Sequence, residues 1–208
     1  MKIIELKAST KVKGRFLVKL DEGTILRVSE QEILSFNLYE GKEISIEEAE
    51  ELEHSGSTSA LKTKAYDLIS RKPLSRHDLE KKLQQWEASP EEIEEICDRF
   101  QELALLNDEE YAKMLARHYH RKGYGEKKIT QEFFHHGIDR EFWEEALCTL
   151  SPNDQAIDKF LSQKAKGNHL EEKEVKRLSQ ALARRGFSWS EIREGLQRYD
   201  ENLEIEPE

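Results

Sequence analysis

The sequence predicts a mainly α-helical protein: three tandem three-helix repeats forming an elongated, curved body, preceded by a small α+β module with a β-hairpin. Three observations carry that prediction. Helix-start signatures recur at short intervals from about residue 60 onward. Three segments of that region align with one another without gaps. Near the N-terminus, two short stretches of alternating apolar and polar residues flank a turn.

The N-terminal elements come first. "RFLVKL" from Arg15 and "TILRV" from Thr24 alternate around "DEG", the pattern of a hairpin with each strand burying one face. "IIELKA" supplies a candidate third strand. Ser29 with Glu32 has capping-box spacing, which predicts a short helix through Phe36; Ser45 with Glu48 repeats the signature before "IEEAEELEH". The stretch "HSGSTS" at 54–59 is read as a boundary because Gly and Ser favour turns. The predicted organisation is an N-terminal module over 1–57, repeats over 58–107, 108–150 and 151–203, and an acidic tail over 204–208.

Within the repeats, helix starts are marked by Ser75 with Asp78, Ser89-Pro90 with Glu92, Ser151-Pro152 with Asp154, and Ser188 with Glu191. Each offers a side-chain acceptor to first-turn amides, and proline is tolerated at the first helical position. The segments "LEKKLQQWEASPEEIEEIC", "ITQEFFHHGIDREFWEEAL" and "LSQALARRGFSWSEIREGL" match column by column. Leu79, Ile129 and Leu178 correspond, as do Leu83, Phe133 and Leu182; Glu87, Gly137 and Gly186 form a turn column. Ala88, Ile138 and Phe187 come next, then the cap column Ser89, Asp139 and Ser188. Ile93, Trp143 and Ile192, followed by Cys97, Leu147 and Leu196, complete the apolar set. Conserved chemistry at fixed spacing marks one supersecondary unit used three times. A preceding helix in each copy (62–70, 108–120, 153–164) makes it a three-helix unit.

Charge follows the repeat. The chain carries net charge −10 with 37% charged residues, which disfavours indiscriminate binding to nucleic acid or membranes. Yet residues 71–85 hold five basic side chains against two acidic ones, 117–128 five against one, and 173–185 five against one. Helix-dipole pairing and solvated faces explain any single cluster. Three clusters at one repeat position point further, to a basic stripe for acidic protein surface or nucleic-acid backbone.

Other functions find little support. No apolar run approaches the ~18 residues of a membrane span, and the N-terminus is too short and charged for a signal peptide. Walker, dinucleotide-binding, serine-hydrolase and zinc-protease motifs are missing, so neither catalysis, a cofactor nor a metal is expected. His118 and His120 diverge on a helix, as do His135 and His136, which disfavours zinc. Trp143 and the tyrosines Tyr111, Tyr119 and Tyr124 are read as packing residues; Cys97 and Cys148 as reduced core thiols of a cytosolic protein. The glycines of "KGYGEKKITQEFFHHGI" resemble a phosphate cradle, but Gly125 stands where Ser75 stands. They are therefore read as turn chemistry.

The series "LISRKPLSRHDLEKKL" then "LLNDEEYAKMLARHYHRKGYGEKKITQEFFHHGI" resembles the RecX family of bacterial recombination regulators. The resemblance covers roughly 65–147 and extends through "ARRGFSWSEI" into the third repeat. The N-terminal module is similar to an extension found in some members. The resemblance implies a non-enzymatic, cytoplasmic, monomeric regulator in DNA repair and the SOS response. Such a regulator binds the RecA recombinase filament on single-stranded DNA, lies in its groove, and inhibits its growth, ATPase and strand exchange. Contact with the single-stranded DNA is a further possibility it raises. The stripe would then use Arg71, Lys72, Arg76, Lys81 and Lys82 in the first repeat. The second would use Arg117, Arg121, Lys122, Lys127 and Lys128, and the third Lys176, Arg177, Arg184 and Arg185. Two departures weaken the third repeat and the pattern as a whole: Glu87 replaces the turn glycine, and "AKGNHLEEKE" is irregular. Two other readings stay open, a direct nucleic-acid binder and a helical scaffold for another protein.

Overall fold

A computed structural model describes residues 1–10, 14–167, 169–201 and 203. The chain divides into two compact units, Met1–Pro73 with Leu79–Leu105, and Leu74–Asp78 with Leu106–Glu208. The predicted tail at 204–208 lies outside the described residues.

In the first unit β1 (Ile3–Ala8), β2 (Arg15–Leu20) and β3 (Ile25–Ser29) form an antiparallel sheet in the order β1-β2-β3. The hairpin register pairs Phe16 with Val28 and Val18 with Leu26. Period-two alternation puts Val18, Leu20, Leu26 and Val28 in the core while Ile25 and Arg27 face solvent. Both N-terminal capping boxes form: Ser29 with Glu32 opens α1 (Glu30–Ser35), and Ser45 with Glu48 opens α2 (Ile46–Arg71). Helix α2 packs Ala49 and Leu52 on the sheet's buried face.

The stretch at 54–59 is a difference from expectation, since α2 runs through it unbroken. Tertiary contacts override weak propensity here. A Cβ on Gly56 would lie 2.1 Å from the Arg27 carbonyl oxygen, so only glycine lets helix and strand approach this closely. The hydroxyls beside it find acceptors: Ser55 and Ser59 donate to one Glu32 oxygen (2.6 and 2.7 Å), and Thr58 donates to Glu92 (3.0 Å). The helix predicted over 62–70 is therefore the end of α2.

Helix α3 (Arg76–Gln85) and α4 (Pro90–Glu102) complete the first repeat, α4 opened by the Ser89–Glu92 capping box. Ser75 caps α3 as predicted, its hydroxyl accepting from the Asp78 amide (3.1 Å). It also donates to the His136 carbonyl (2.6 Å), and His136 Nδ1 lies 2.6 Å from Asp78. These bonds tie the first turn of α3 into the second unit.

The second unit holds α5 (Asp108–Arg121), α6 (Glu126–His135), a 3-10 turn (Arg140–Phe142), α7 (Trp143–Cys148), α8 (Asp154–Lys164), α9 (Glu172–Arg184) and α10 (Trp189–Tyr199). The aligned columns form its cores. Ile129, Phe133 and Ile138 pack with Tyr111 and Leu115; Leu178, Leu182, Phe187, Ile192 and Leu196 pack with Ile157 and Leu161. Trp143 joins the first of these, its Nε1 donating to the Ile138 carbonyl at 3.0 Å.

The turn column has one backbone geometry in all three repeats. Glu87, Gly137 and Gly186 have φ of 63°, 64° and 90°. The next residues, Ala88, Ile138 and Phe187, donate back to Leu83, Phe133 and Leu182. This is a left-handed helix ending that satisfies orphan carbonyls.

Three expectations need correction. Ser151 does not cap α8: the N-cap is Asn153, whose amide nitrogen instead donates to the carbonyls of His120 (3.0 Å) and Tyr124 (3.4 Å). Asp139 makes no side-chain cap, because the chain enters α7 through the 3-10 turn. Cys148 is exposed at the end of α7 rather than in the core, whereas Cys97 is buried.

Candidate partner-binding surface

Sequence "RKGYGEKK" ends α5, turns and starts α6. Sequence "ARRGF" ends α9. The structure clasps these two turns together within the second unit. The Gly125 amide donates to the Arg185 carbonyl (2.9 Å), and the Lys127 amide donates to the Gly186 carbonyl (3.0 Å). No side chain fits between them. A Cβ on Gly125 would lie 2.4 Å from the Gly186 oxygen, and one on Gly186 would lie 2.2 Å from the Lys128 nitrogen. The glycines thus let two repeats join backbone to backbone, and this brings their basic clusters together.

Beside the clasp is a groove of about 610 Å³. Its cationic lining is Arg121, Lys122, Lys159, Lys164 and Arg185, with His120 alongside, and none of the described residues lining it is a carboxylate. Arg185 is held in place by two rings, its guanidinium 4.8 Å from the Phe160 centroid and 5.9 Å from that of Tyr124. Lys122 Nζ stands 5.9 Å from the Tyr119 centroid. Arg121 and Lys122 end α5, where the helix dipole favours positive charge. Among the described residues none of these five cations pairs with a carboxylate. Elsewhere the protein pairs cations readily: Lys113 bridges Glu109 and Glu145, its hydrogen bonds to both raising its pKa, and Arg198 bridges Asp154 and Asp158. Leaving the groove unpaired in a chain of net charge −10 concentrates its positive potential there.

The other predicted positions lie as follows. Lys127 and Lys128 sit at the clasp outside the groove lining; Lys127 is exposed, while Lys128 is tied to Glu132. Burial works against Glu132 ionisation, but hydrogen bonds from Lys128 and Tyr119 outweigh it and hold its pKa low. Arg184 is exposed on the last turn of α9, and Lys176 is exposed further back on that helix. Arg177 is engaged, pairing with Glu174 (3.0 Å) and donating to the Lys164 carbonyl (2.9 Å). Arg117 is exposed on α5. In the first unit, Arg71 ends α2, Lys72 is its C-cap, and Lys81 and Lys82 lie exposed on α3, Lys82 donating to Gln85. Arg76 falls in the second unit, its amide donating to Asp108 (2.9 Å). Of the second and third clusters the structure thus brings Arg121, Lys122 and Arg185 to one groove, and leaves the other predicted positions outside its lining.

Lys159 and Lys164 fall outside the three basic clusters at 71–85, 117–128 and 173–185. The signal was present in α8. Gln155, Lys159 and Gln163 recur at four-residue spacing and leave one face free of acids, whereas Asp154 and Asp158 lie on the face held by Arg198.

Residues 62–100 match the family model described as "RecX, first three-helix domain", and 107–147 match "RecX, second three-helix domain". "Regulatory protein RecX" of Neisseria meningitidis serogroup C is 32% identical over 146 residues, 70% of this chain and 95% of that protein. The protein of that name from Bacillus subtilis (strain 168) is 29% identical over 97% of this chain and 80% of its own length. Among solved structures, a crystal structure of regulatory protein RecX superposes with a TM-score of 0.76 at 23% identity, covering 95% of this chain and 98% of that one. RecX from Lactobacillus salivarius superposes with a TM-score of 0.63, covering 68% and 96%.

Proposed function

Because the chain belongs to the RecX family of regulatory proteins, we propose that it regulates recombination by binding the RecA recombinase filament on single-stranded DNA. Bound there as a monomer in the cytoplasm, it blocks filament growth and lowers ATPase and strand-exchange activity. The observation that carries this reading is the clasp between the second and third repeats. It fixes unpaired cations around one groove on an otherwise acidic chain. A surface of that kind orients the protein toward acidic filament surface or phosphate backbone, while net charge repels it in other orientations. Among the described residues no helix is long and apolar enough to cross a membrane, consistent with a partner in solution.

The test is a titration of purified recombinase, single-stranded DNA and ATP. ATP hydrolysis should fall when the protein is added well below one copy per recombinase. Full ATPase activity at equimolar protein would reject the proposal. A second reading, direct binding to DNA, is favoured by the absence of carboxylates among the described residues of the groove lining. Its mark would be tight binding to naked DNA that falls steeply with salt.

A further inference from the structure

The first unit has a pocket that the basic groove does not explain. It lies between the hairpin strands and the middle of α2, encloses about 730 Å³, and is lined by Arg15, Leu17, Arg27, Ser59, Thr63 and Lys64, among others. Arg15 Nη1 donates to the Gly56 carbonyl (3.1 Å), but Nη2 is buried and has no acceptor among the described residues. A charged donor withdrawn from water and left unbonded is costly, so the position calls for an acceptor. Among the described residues, Arg15, Arg27 and Lys64 have no carboxylate partner. Asp67, the one carboxylate among the described lining residues, pairs with none of them.

We propose that this pocket binds a phosphate monoester carried on an apolar or aromatic body. Three cations come from three elements: Arg15 on β2, Arg27 on β3 and Lys64 on α2. A tetrahedral phosphate can offer separate oxygens to donors converging from three sides, whereas a carboxylate offers two oxygens in one plane. Leu17, Ala60 and the Thr63 methyl give the body an apolar wall, and the volume suits a ligand of nucleotide size. The Ser59 and Thr63 hydroxyl hydrogens are already committed, to Glu32 and to the Ser59 carbonyl, and Lys64 Nζ stands 5.6 Å from the Trp86 ring centroid. The cationic donors a phosphate would meet first are therefore Arg15 Nη2 and Arg27, with Lys64 turning from that ring to join them. Two sources share this chemistry, a free mononucleotide and the 5′-phosphate end of a short strand.

Isothermal titration calorimetry on the full chain tests the proposal with adenosine 5′-monophosphate, adenosine, and a dinucleotide with and without its 5′-phosphate. The monophosphate should bind one to one and adenosine should not. Binding of the phosphorylated dinucleotide as well would make a strand end the source, and its failure to bind would make a free nucleotide the source. Arg27→Gln with Lys64→Gln removes two exposed cations without touching the core, and should weaken binding about tenfold or more. Arg15→Met should abolish it; if that variant does not fold, the Arg27 and Lys64 pair decides. No saturable heat at millimolar monophosphate, or equal affinity in the Arg27 and Lys64 variant, would overturn the proposal. Inhibition of recombinase ATPase is a separate readout on the same preparations, so either proposal can fail alone.

Discussion

Glu87 holds a backbone conformation that glycine supplies in the other two repeats, with φ of 63° against 64° at Gly137 and 90° at Gly186. An L side chain pays roughly 1–2 kcal/mol to enter the left-handed region. Glu87→Gly should therefore stabilise the protein, by about 0.5–1 kcal/mol once the greater freedom of unfolded glycine is set against the relief. Urea denaturation would read this as a higher midpoint at unchanged slope. Gly125 makes the opposite case. Its φ of −84° suits any residue, so only the close approach of the Gly186 carbonyl requires glycine there. Gly125→Ala should open the clasp, costing about 1–3 kcal/mol from backbone shifts, and should lower the denaturation midpoint. Phe133 is fully buried in its repeat core, and Phe133→Ala should cost roughly 3–5 kcal/mol in the same assay.

At the scale of elements, α2 is held by carboxylates that its own hydroxyls satisfy. Burial of Glu32 opposes ionisation, but hydrogen bonds from Ser55, the Ser29 backbone and Ser59 prevail and lower its pKa. Glu92 is lowered in the same way: burial opposes ionisation, and bonds from the Ser89 backbone, Thr58 and Ser57 outweigh it. A carboxyl with a lowered folded pKa contributes stability that is fully present above its unfolded value near 4.5 and is lost as pH falls through the folded value. Thermal melts should show that loss below about pH 4.5, and Glu32→Gln should flatten the acid limb while lowering stability at neutral pH. An acid limb unchanged by the substitution would show that other groups carry it. These contacts also mark where the sequence stopped being legible. Capping boxes at Ser29, Ser45, Ser89 and Ser188 were readable because both partners lie within four residues. The helix through 54–59 was not, because Glu32, Glu92 and the Arg27 carbonyl are supplied from distant parts of the chain. Asn153 is a similar case, its side chain drawn to His120 and Tyr124. The basic groove was half legible: repeat alignment found Arg121, Lys122 and Arg185, while only packing brings α8 with Lys159 and Lys164 beside them.

For the whole molecule, the question is whether the unpaired cations act or merely keep the protein solvated. Net charge −10 sets the background, and each double reversal takes it to −14, so the three variants share one total charge and differ only in where the local potential is reversed. Three double variants divide the surface: Arg121→Glu with Lys122→Glu in the groove, Lys127→Glu with Lys128→Glu at the clasp, and Lys81→Glu with Lys82→Glu in the first unit. In the clasp pair both residues lie in the first turn of α6, where the helix dipole favours acids. Lys128→Glu also replaces the Lys128–Glu132 ion pair by two like charges, however, so its thermal melt is the essential control. If the surface steers association, the concentration giving half-inhibition of recombinase ATPase should rise about tenfold or more for the groove and clasp variants. Inhibition by the unaltered protein should also weaken with added salt, since exposed charges are screened over about 8 Å at 0.15 M ionic strength. The Lys81 and Lys82 variant tests whether the first cluster belongs to the same interface. Loss of inhibition there extends the surface into the first unit; retained inhibition confines it to the second. Unchanged inhibition in all three variants, with thermal melts showing intact folds, would reduce the cations to a solvated face.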